Sequence, residues 1–284
     1  MSTPSATAPR VRGVRIGVVV PVSLAVVALV VLAAVLGVAL VPQDPGQQHL
    51  LTGATGPSSA HWLGTDDLGR DIFARLVAGT RTAVLGPAVA ALGTTLVGLV
   101  LGLLAGFRGG LVDEVIMRTT DFVYAVPALL VIIVVVGLFS GSYWVAVAVL
   151  VLLAAPGATR IVRAAVLAQR GLPYVEAART LGLRDRRLML VHITPNVLPT
   201  VVTSLLLEFS AALVALSALS FLGLGVPPGA ADWGRMVAEN RALLQLNAWS
   251  ILAPALMLAI TASAVTAIGD WLHERLERRA TTHD

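Results

Sequence analysis

The four longest stretches of this sequence without a charged side chain restrict the possible folds more than any other feature. They cover residues 16–43, 82–107, 122–159 and 242–269. Each exceeds the roughly 18 residues at which an apolar run is taken as a membrane-spanning helix. Of the 284 residues, 57% are hydrophobic and only 13% are charged, with a mean hydropathy of +0.86. We therefore predict an all-α integral membrane protein.

The apolar stretches predict six transmembrane helices. The stretch 122–159 is long enough for two helices, which residues 137–142, rich in glycine and serine, separate. Another span is predicted near residues 197–220, because a helix rising about 1.5 Å per residue needs that length to cross about 30 Å of hydrocarbon. The glycine- and proline-rich residues 221–229 then form a re-entrant or surface loop. The first span is longer than a signal-peptide core of roughly 7–15 residues and is predicted to be a retained anchor.

The distribution of arginines predicts the orientation of these helices. Three arginines lie in the first 15 residues, and seven lie between residues 160 and 187. Four predicted spans separate the two groups, so both lie on one side of the membrane, which the positive-inside rule makes the cytoplasm. We therefore expect a multi-pass protein of the cell membrane with both termini cytoplasmic.

This topology divides the chain into five segments. The third, residues 42–79, is external, and the fourth contains a cytoplasmic loop at 170–196 and an external loop at 221–249. In order, the segments are a cytoplasmic tail (1–15), an anchor helix (16–41), the external segment (42–79), a five-helix core (80–272) and a second cytoplasmic tail (273–284).

The sequence lacks residue types on which much enzyme chemistry depends. It has no cysteine, and all 20 of its Lys and Arg residues are arginine. A Walker-type phosphate loop needs a lysine, so any ATP that drives this protein must bind to another subunit. No serine-nucleophile, zinc-protease or dinucleotide-binding motif is present. We therefore expect a protein that is not an enzyme and holds no metal or cofactor. We also expect it to bind no nucleic acid, because its arginines lie at the ends of the spans.

Residues 170–196 form the largest polar segment between the predicted spans, and they must project into water. Pro173 can open a short helix, Glu176 lies near the positive end of its dipole, and Gly182 suits its end. Ala177 and Ala178 would give this helix a face with almost no side chain, which another protein surface can approach closely. The segment is predicted to dock a partner; the alternative is a solvated basic loop that lies along the membrane.

A second short helix is predicted after this one. Asp185 is expected to cap it, and it is expected to end where the chain turns at Thr194 and Pro195 into the fifth span.

Three glycines of the second span, Gly98, Gly102 and Gly106, recur at a spacing of four residues. They lie on one face of a helix and predict close packing against a neighbouring helix rather than a ligand site.

The docking segment resembles the EAA loop of ABC importer permeases. In that family the loop is a coupling helix that sits in a groove of a cytoplasmic ATPase subunit. The matching residues are Glu176, Ala177, Ala178, Gly182, Ile193, Pro195 and Asn196. Thr194 departs from the leucine that the family usually has. The coupling loop that this resemblance implies consists of Tyr174, Glu176, Ala177, Ala178, Arg179, Gly182 and Pro195.

Three further motifs resemble those of the permeases for dipeptides, oligopeptides and nickel, and they imply structural or gating roles. The first, at residues 61–71, contains Gly64, Asp66, Gly69, Arg70 and Asp71. The second, at residues 109–121, contains Asp113, Arg118 and Asp121. The third, at residues 219–225 and 232–234, contains Phe221, Gly223, Trp233 and Gly234. Leu216 stands where an acidic residue is expected, so no polar role is transferred to that position.

The resemblance implies a type I importer fold, a permease bundle with a cytoplasmic coupling loop. The chain would be one transmembrane subunit of an ATP-driven importer of dipeptides, oligopeptides or similar small solutes. Its partners would be cytoplasmic ATPase subunits that bind ATP and magnesium, a second homologous permease subunit, an external solute-binding protein and membrane lipid. The alternatives are a permease for nickel or another small solute and a stand-alone secondary transporter, which would leave the EAA-like loop without a role.

The external aspartates permit two interpretations. His61, Asp66 and Asp71, with the neighbouring Asp67, are candidates for a metal cluster, because hard cations favour carboxylates. Arg70 lies among them, however, and aspartates are ordinary turn residues. A scaffold that caps the second span is therefore favoured.

Two further polar positions lie in or near the spans. Glu208 falls near the middle of the fifth span, where an ionised side chain costs at least about 2.5 kcal/mol unless it meets a partner or water. It either contributes to the translocation path or an interhelical hydrogen bond, or it is a neutral carboxyl in a packed interface. Asp121 and Arg118 are predicted to form a structural pair at the cytoplasmic end of the third span.

Overall fold

A computed structural model describes residues 16–139 and 141–281 of the chain. Within these ranges the protein is built from helices joined by loops, and an isolated β-bridge joins Thr65 and Asp71. The predicted tail at 1–15 lies outside the described residues. The α-helices are α1 (Ile16–Leu36), α2 (Ile72–Arg108), α3 (Gly110–Tyr124), α4 (Ala128–Leu138), α5 (Tyr143–Arg170), α6 (Pro173–Thr180), α7 (Asp185–Arg187), α8 (Thr194–Phe221), α9 (Trp233–Glu239) and α10 (Trp249–Thr281).

Five helical segments in the described ranges are long and apolar enough to cross a membrane: α1, α2, α5, the run Asp185–Phe221 and α10. Helices α3 and α4 pass the same test only as a pair, and they are bent by 78° relative to each other. Pro127 explains this bend, because it has no N–H to donate and it disfavours helical geometry at the preceding residue. The six predicted spans are reached when the bent pair counts as one.

The predicted break between the third and fourth spans is confirmed. Helix α4 ends at Leu138 and α5 begins at Tyr143. Between them, Gly141 has a φ of +73°, which glycine adopts without the steric penalty that a side chain would bring.

The glycine face of α2 packs against α5, as predicted. A Cβ at Gly102 would lie 2.6 Å from Val162 Cβ and 2.8 Å from Thr159 O. There is no room for a side chain at this position, because atoms of α5 already occupy the space. The three contacts pair Gly98 with Ala158, Gly102 with Val162 and Gly106 with Val166. Because lipid gives no hydrophobic drive for association between helices, close van der Waals contact of this kind fixes α2 to α5.

The chain does not turn at Thr194 and Pro195, so that prediction is wrong. Residues Asp185–Phe221 form one continuous helical run, in which Leu188–Ile193 are π-helical. Thr194 N–H donates to Met189 O, five residues earlier. Pro195 has no N–H and therefore cannot donate an α-helical hydrogen bond. A π-helical turn next to it breaks one fewer such bond than it would beside another residue. Asp185 is not a cap either, because Arg184 occupies the N-cap position and makes no side-chain hydrogen bond there.

The two ends of the bundle carry different structures. At one end, residues 41–71 and 222–248 fold together over the helices, and we call them the cap. At the other end lies α6, between α5 and the run that contains α8. Helix α2 joins the two ends, and its 37 residues span about 55 Å at about 1.5 Å per residue.

Candidate functional site

Helix α6 begins and ends where the sequence predicts. Pro173 is its first residue, where the missing N–H costs no intrahelical hydrogen bond. Glu176 lies in the first turn, at the positive end of the helix dipole. The helix ends at Thr180, and Gly182 follows with a φ of +80°, which would strain any residue with a side chain. Local signals alone therefore define a short helix at this end of the bundle.

One face of α6 is fixed to the bundle. Val175 is fully buried and Ala178 is only 8% exposed. The side chains that surround them come from α2, α5, the π-helical segment and α8: Leu103, Phe107, Val162, Val166, Leu188, Ile193, Val197 and Val201. The prediction that Ala177 and Ala178 share one docking face is wrong, because successive helix residues point about 100° apart. Ala178 is a core residue that couples α6 to the spans.

The opposite face of α6 is exposed, and we call it the docking face. It consists of Tyr174, Glu176, Ala177 and Arg179 and continues into Leu181, whose side chain is 81% exposed. This mixture of small, apolar, aromatic and charged side chains suits a contact with another protein.

The two ends of the EAA-like motif meet beside this face. The Tyr174 hydroxyl donates to Gln169 Oε1 at 2.9 Å and accepts from Asn196 Nδ2 at 3.3 Å. Asn196 Nδ2 also donates to His192 O at 2.7 Å. Pro195, next to Asn196, is exposed. The residues that the sequence motif spreads over more than 20 positions thus form one surface.

Exposed arginines make this surface positive. Arg179, Arg184, Arg186 and Arg187 are all exposed around α6 and α7. Glu176 and Asp185 are exposed among them, so a partner that binds here meets charges of both signs.

Two ion pairs join α3 to α5 at the same end of the bundle. Arg163 binds Asp113 through two parallel hydrogen bonds, of 2.5 and 2.6 Å, the strong bidentate arrangement of arginine with a carboxylate. Arg160 Nη2 donates to Asp121 Oδ1 at 2.6 Å. The predicted pairing of Asp121 with Arg118 is therefore wrong. The second motif holds the bent α3–α4 pair against α5 through arginines that the sequence analysis did not single out.

In the cap, the aspartates of the first motif bind arginine and backbone N–H groups. Asp66 is fully buried and accepts hydrogen bonds from Arg70 Nε at 2.7 Å, Arg70 N–H at 2.9 Å and Leu68 N–H at 3.0 Å. A carboxylate with these partners has its charge and lone pairs satisfied by the protein. Asp66 thus forms part of the scaffold.

Asp71 caps helix α2, as the scaffold interpretation predicts. Its Oδ1 accepts from Ala74 N–H at 2.7 Å, and its Oδ2 lies 2.8 Å from His61 Nδ1. No group of three or more metal-binding side chains with suitable geometry occurs among the described residues.

The centre of the cap is Arg75, a residue that the sequence analysis missed. Its side chain is 1% exposed. It donates to Gly229 O at 3.0 Å, to Ala230 O at 3.3 Å and to Glu239 Oε2 at 3.3 Å. An arginine three residues inside an apolar helix requires partners. Here the partners come from the loop after α8 and from α9, so Arg75 joins the two halves of the cap.

Glu239 is held as a carboxylate in this network. Burial raises its pKa, but the hydrogen bonds from Gly229 N–H and Arg235 Nε and the charges of Arg75 and Arg70 outweigh burial and leave the pKa below its ordinary value. At neutral pH the cap therefore contains a carboxylate paired with Arg70, Arg75 and Arg235.

Residues of the third motif lock α9 onto the spans. Trp233 is fully buried, and its Nε1 donates to Leu76 O at 2.9 Å. Gly234 lies so close to Ser217 that a Cβ would collide with the serine carbonyl oxygen. Both residues therefore have structural roles at the contact of α9 with α2 and α8.

Glycines of the first motif allow the cap loops to cross closely. A Cβ at Gly64 would collide with Thr55 O, and a Cβ at Gly69 would collide with His49 O. Both glycines have positive φ angles, of +80° and +70°. Asn247, from the segment before α10, donates to the backbone at this crossing.

The beginning of the third motif lies at the end of α8. Phe221 is the last residue of that helix and is 46% exposed. Gly223 follows with a φ of +83° and redirects the chain toward α9.

Glu208 is half-buried near the middle of α8. Neither a hydrogen bond nor an ion pair of its carboxyl forms with any residue that the structure describes. Its contribution to a translocation path or to an interface stays a prediction.

The sequence of residues 98–282 matches the family described as "Binding-protein-dependent transport system inner membrane component". The chain is 34% identical over 256 residues to the oligopeptide transport system permease protein OppC of Bacillus subtilis (strain 168), covering 90% of this chain and 84% of that protein. It is 35% identical over 222 residues to the glutathione transport system permease protein GsiD of Pectobacterium atrosepticum, covering 78% of this chain and 74% of that protein.

Solved structures with a similar fold have much lower sequence identity. A chain of the inward-facing MetNI methionine ABC transporter superposes with a TM-score of 0.58 at 17% identity, covering 71% of this chain and 96% of that chain. A chain of an amino acid ABC transporter superposes with a TM-score of 0.55 at 17% identity, covering 71% of this chain and 94% of that chain. These likenesses confirm the predicted fold class.

Proposed function

The chain belongs to the family of binding-protein-dependent transport system inner membrane components, and on that premise we propose that α6 is its ATPase-coupling helix and that peptides are its substrates. It is a transmembrane permease subunit of an ABC importer and lies in a membrane as a multi-pass protein. The proposal concerns what this subunit binds and how force reaches its spans.

The observation that carries the proposal is the two-sided construction of α6. Its docking face is exposed, whereas Val175 and Ala178 are buried among side chains of α2, α5 and α8. A displacement of α6 by a partner must therefore move these spans, since packed interiors transmit displacement rather than absorb it. Without the buried face, α6 could bind a partner but could not transmit the partner's movement to the spans.

The partner at the docking face is a cytoplasmic ATPase subunit. ATP and magnesium bind to that subunit, because this sequence has no lysine for a phosphate loop. Closure of an ATPase pair then drives the bundle between two packed arrangements, which is the physical basis of alternating access. With this assignment, α6 and both termini lie in the cytoplasm.

The cap faces the opposite side of the membrane and receives an external solute-binding protein. Its paired charges and interlocked loops make it rigid, so it can hold a docked protein while the spans move. A second homologous permease completes the translocation path, since one bundle of this size supplies only one wall.

The substrates proposed are dipeptides, oligopeptides or a small peptide such as glutathione. Support comes from relatives whose names specify oligopeptide, glutathione and dipeptide transport, at 33–35% identity over 78–94% of this chain.

Replacing Gly182 with leucine is expected to abolish peptide uptake and the stimulation of ATPase activity, while membrane insertion stays normal. No atom lies within 4 Å of a Cβ at this position, so the folded chain has room for the side chain. The φ of +80° is unfavourable for leucine, and the side chain would project beside the docking face. Uptake of a labelled peptide and ATP hydrolysis are measured with the complete importer in proteoliposomes.

Gly53→Leu is the matched control. Gly53 also has a positive φ, of +57°, and free space at the Cβ, but it lies in the cap. It carries a similar backbone penalty at the opposite end of the bundle, so uptake should persist. Normal peptide uptake and ATPase stimulation in the Gly182 variant would contradict the assignment of α6 as the coupling helix.

A further inference from the structure

A groove between α1 and α2 has no part in the coupling described above. It consists of two cavities, an outer one of about 550 Å³ near the end of α1 and an inner one of about 280 Å³ farther along α2 from the cap. Val31 and Val84 line both cavities, so the two adjoin. The groove therefore runs along the helices rather than across them.

The outer cavity has apolar walls and one charged group. Aliphatic side chains of α1 and α2 line it, together with Arg81. Arg81 is exposed and makes no hydrogen bond or ion pair with any residue in the described parts of the chain. An unpaired guanidinium beside hydrocarbon walls is complementary to a phosphate that carries an apolar chain, because its fork of N–H donors matches phosphate oxygens.

The inner cavity is almost entirely hydrocarbon. Residues of α1, α2, α8 and α10 line it, and Thr261 is its one polar lining residue. The Thr261 side chain is 1% exposed, and its hydroxyl has no partner among the described residues. A cavity with such walls excludes ions and peptides and accepts an alkyl chain.

The depth of the groove fits a lipid. Arg81 and Leu92, which lines the inner cavity, are 11 positions apart on α2, or about 16 Å along the helix axis. Arg81 begins the charge-free stretch of α2 and thus lies at the membrane interface. The groove extends from there through about half of a hydrocarbon core roughly 30 Å thick.

We propose that this groove binds one phospholipid, with its phosphate on Arg81 and an acyl chain in the inner cavity. The bound lipid fills the space between α1 and the core and thereby joins the anchor helix to α2, α8 and α10. Charge complementarity at one end and an open apolar groove at the other favour an amphiphile over a free anion or a protein segment. The site would lie in the leaflet next to the cap.

The test is native mass spectrometry of the full-length chain in mild detergent. The probes are dioleoyl phosphatidylglycerol, dioleoylglycerol, which lacks the phosphate, and inorganic phosphate, which lacks the chains. We expect one retained phosphatidylglycerol and no retained dioleoylglycerol or phosphate. Arg81→Gln should weaken lipid binding about fivefold, as expected for one arginine near a membrane surface. Ala88→Phe, which fills the inner cavity, should also abolish retention.

Arg241→Gln is the matched control, because Arg241 is an exposed cap arginine without a partner among the described residues and does not line the groove. Equal losses in the Arg81 and Arg241 variants would mean non-specific attraction and overturn the proposal. Retention of dioleoylglycerol as strong as that of phosphatidylglycerol would also overturn it. A third result would also overturn the proposal: the Arg81→Gln variant retains the lipid but loses a second permease that co-purifies with the unmodified chain. The groove would then be an interface with another protein. If the Ala88→Phe variant misfolds, lipid retention by the Arg81→Gln variant alone tests the proposal, because Arg81 is exposed.

Discussion

Replacing Gly102 with leucine is expected to lower the free energy of unfolding by about 3 kcal/mol or more and to separate α2 from α5. The new side chain would meet Val162 and the carbonyl oxygen of Thr159, which is backbone and cannot move aside without shifting α5. Because α5 leads directly into α6, the loss of this contact also detaches the docking face from the spans. The melting temperature of the purified chain in detergent, followed by size-exclusion chromatography, measures the effect.

Gly17→Leu is the control for this substitution. Gly17 lies in α1, is exposed and has no atom within 4 Å of a Cβ, so leucine adds apolar surface without a clash. Its melting temperature should equal that of the unmodified chain. If the Gly102 variant melts at the same temperature as the Gly17 variant, the close contact of α2 with α5 does not exist in the membrane protein.

Replacing Arg75 with methionine is expected to cost about 3–5 kcal/mol, the usual result of removing one partner from a buried charge network. Methionine keeps much of the apolar stem but removes the donor of Ala230 O and one of the donors of Glu239 and of Gly229 O. The loop after α8 should then detach from α2. Thermal unfolding measures the loss, and limited proteolysis of the loop after α8 shows where the structure opens.

The combined variant Arg75→Met/Glu239→Gln distinguishes the interaction between Arg75 and Glu239 from the other effects of losing Arg75. If the two groups interact as the structure has them, the double variant loses less stability than the sum of the single variants. Arg241→Met, on an exposed cap arginine, should change stability by less than about 0.5 kcal/mol. A strictly additive double variant would contradict the network.

The sequence predicted those parts of the fold that local signals determine. Long charge-free stretches locate the spans, Pro173 and Gly182 bound α6, and the spacing of Gly98, Gly102 and Gly106 identifies a packing face. Each of these depends on residues within one or two helical turns, where side-chain geometry and backbone preference are sufficient.

Other features depend on residues that are distant in the sequence. Arg75 meets Glu239 across 164 positions, and Asp113 meets Arg163 across 50, so no local pattern reveals either pair. A signal for Arg75 existed, since an arginine just inside an apolar helix must be paired. The burial of Ala178 likewise depends on how α6 lies against α5 and α8.

The most direct test of coupling through α6 is a pull-down of the tagged full-length chain from native membranes in mild detergent, with Glu176→Arg as the variant. Glu176 is exposed on the docking face, so the substitution leaves the folded bundle intact. Glu114→Arg is the control, with the same charge change at an exposed position of α3, the fifth residue of that helix, near the same end of the bundle.

We expect the unmodified chain and the Glu114 variant to retain an ATPase subunit and a second permease, and the Glu176 variant to retain the permease but lose the ATPase. If the Glu176 variant retains its ATPase as fully as the unmodified chain does, or if the unmodified chain comes down alone, α6 is not the coupling helix.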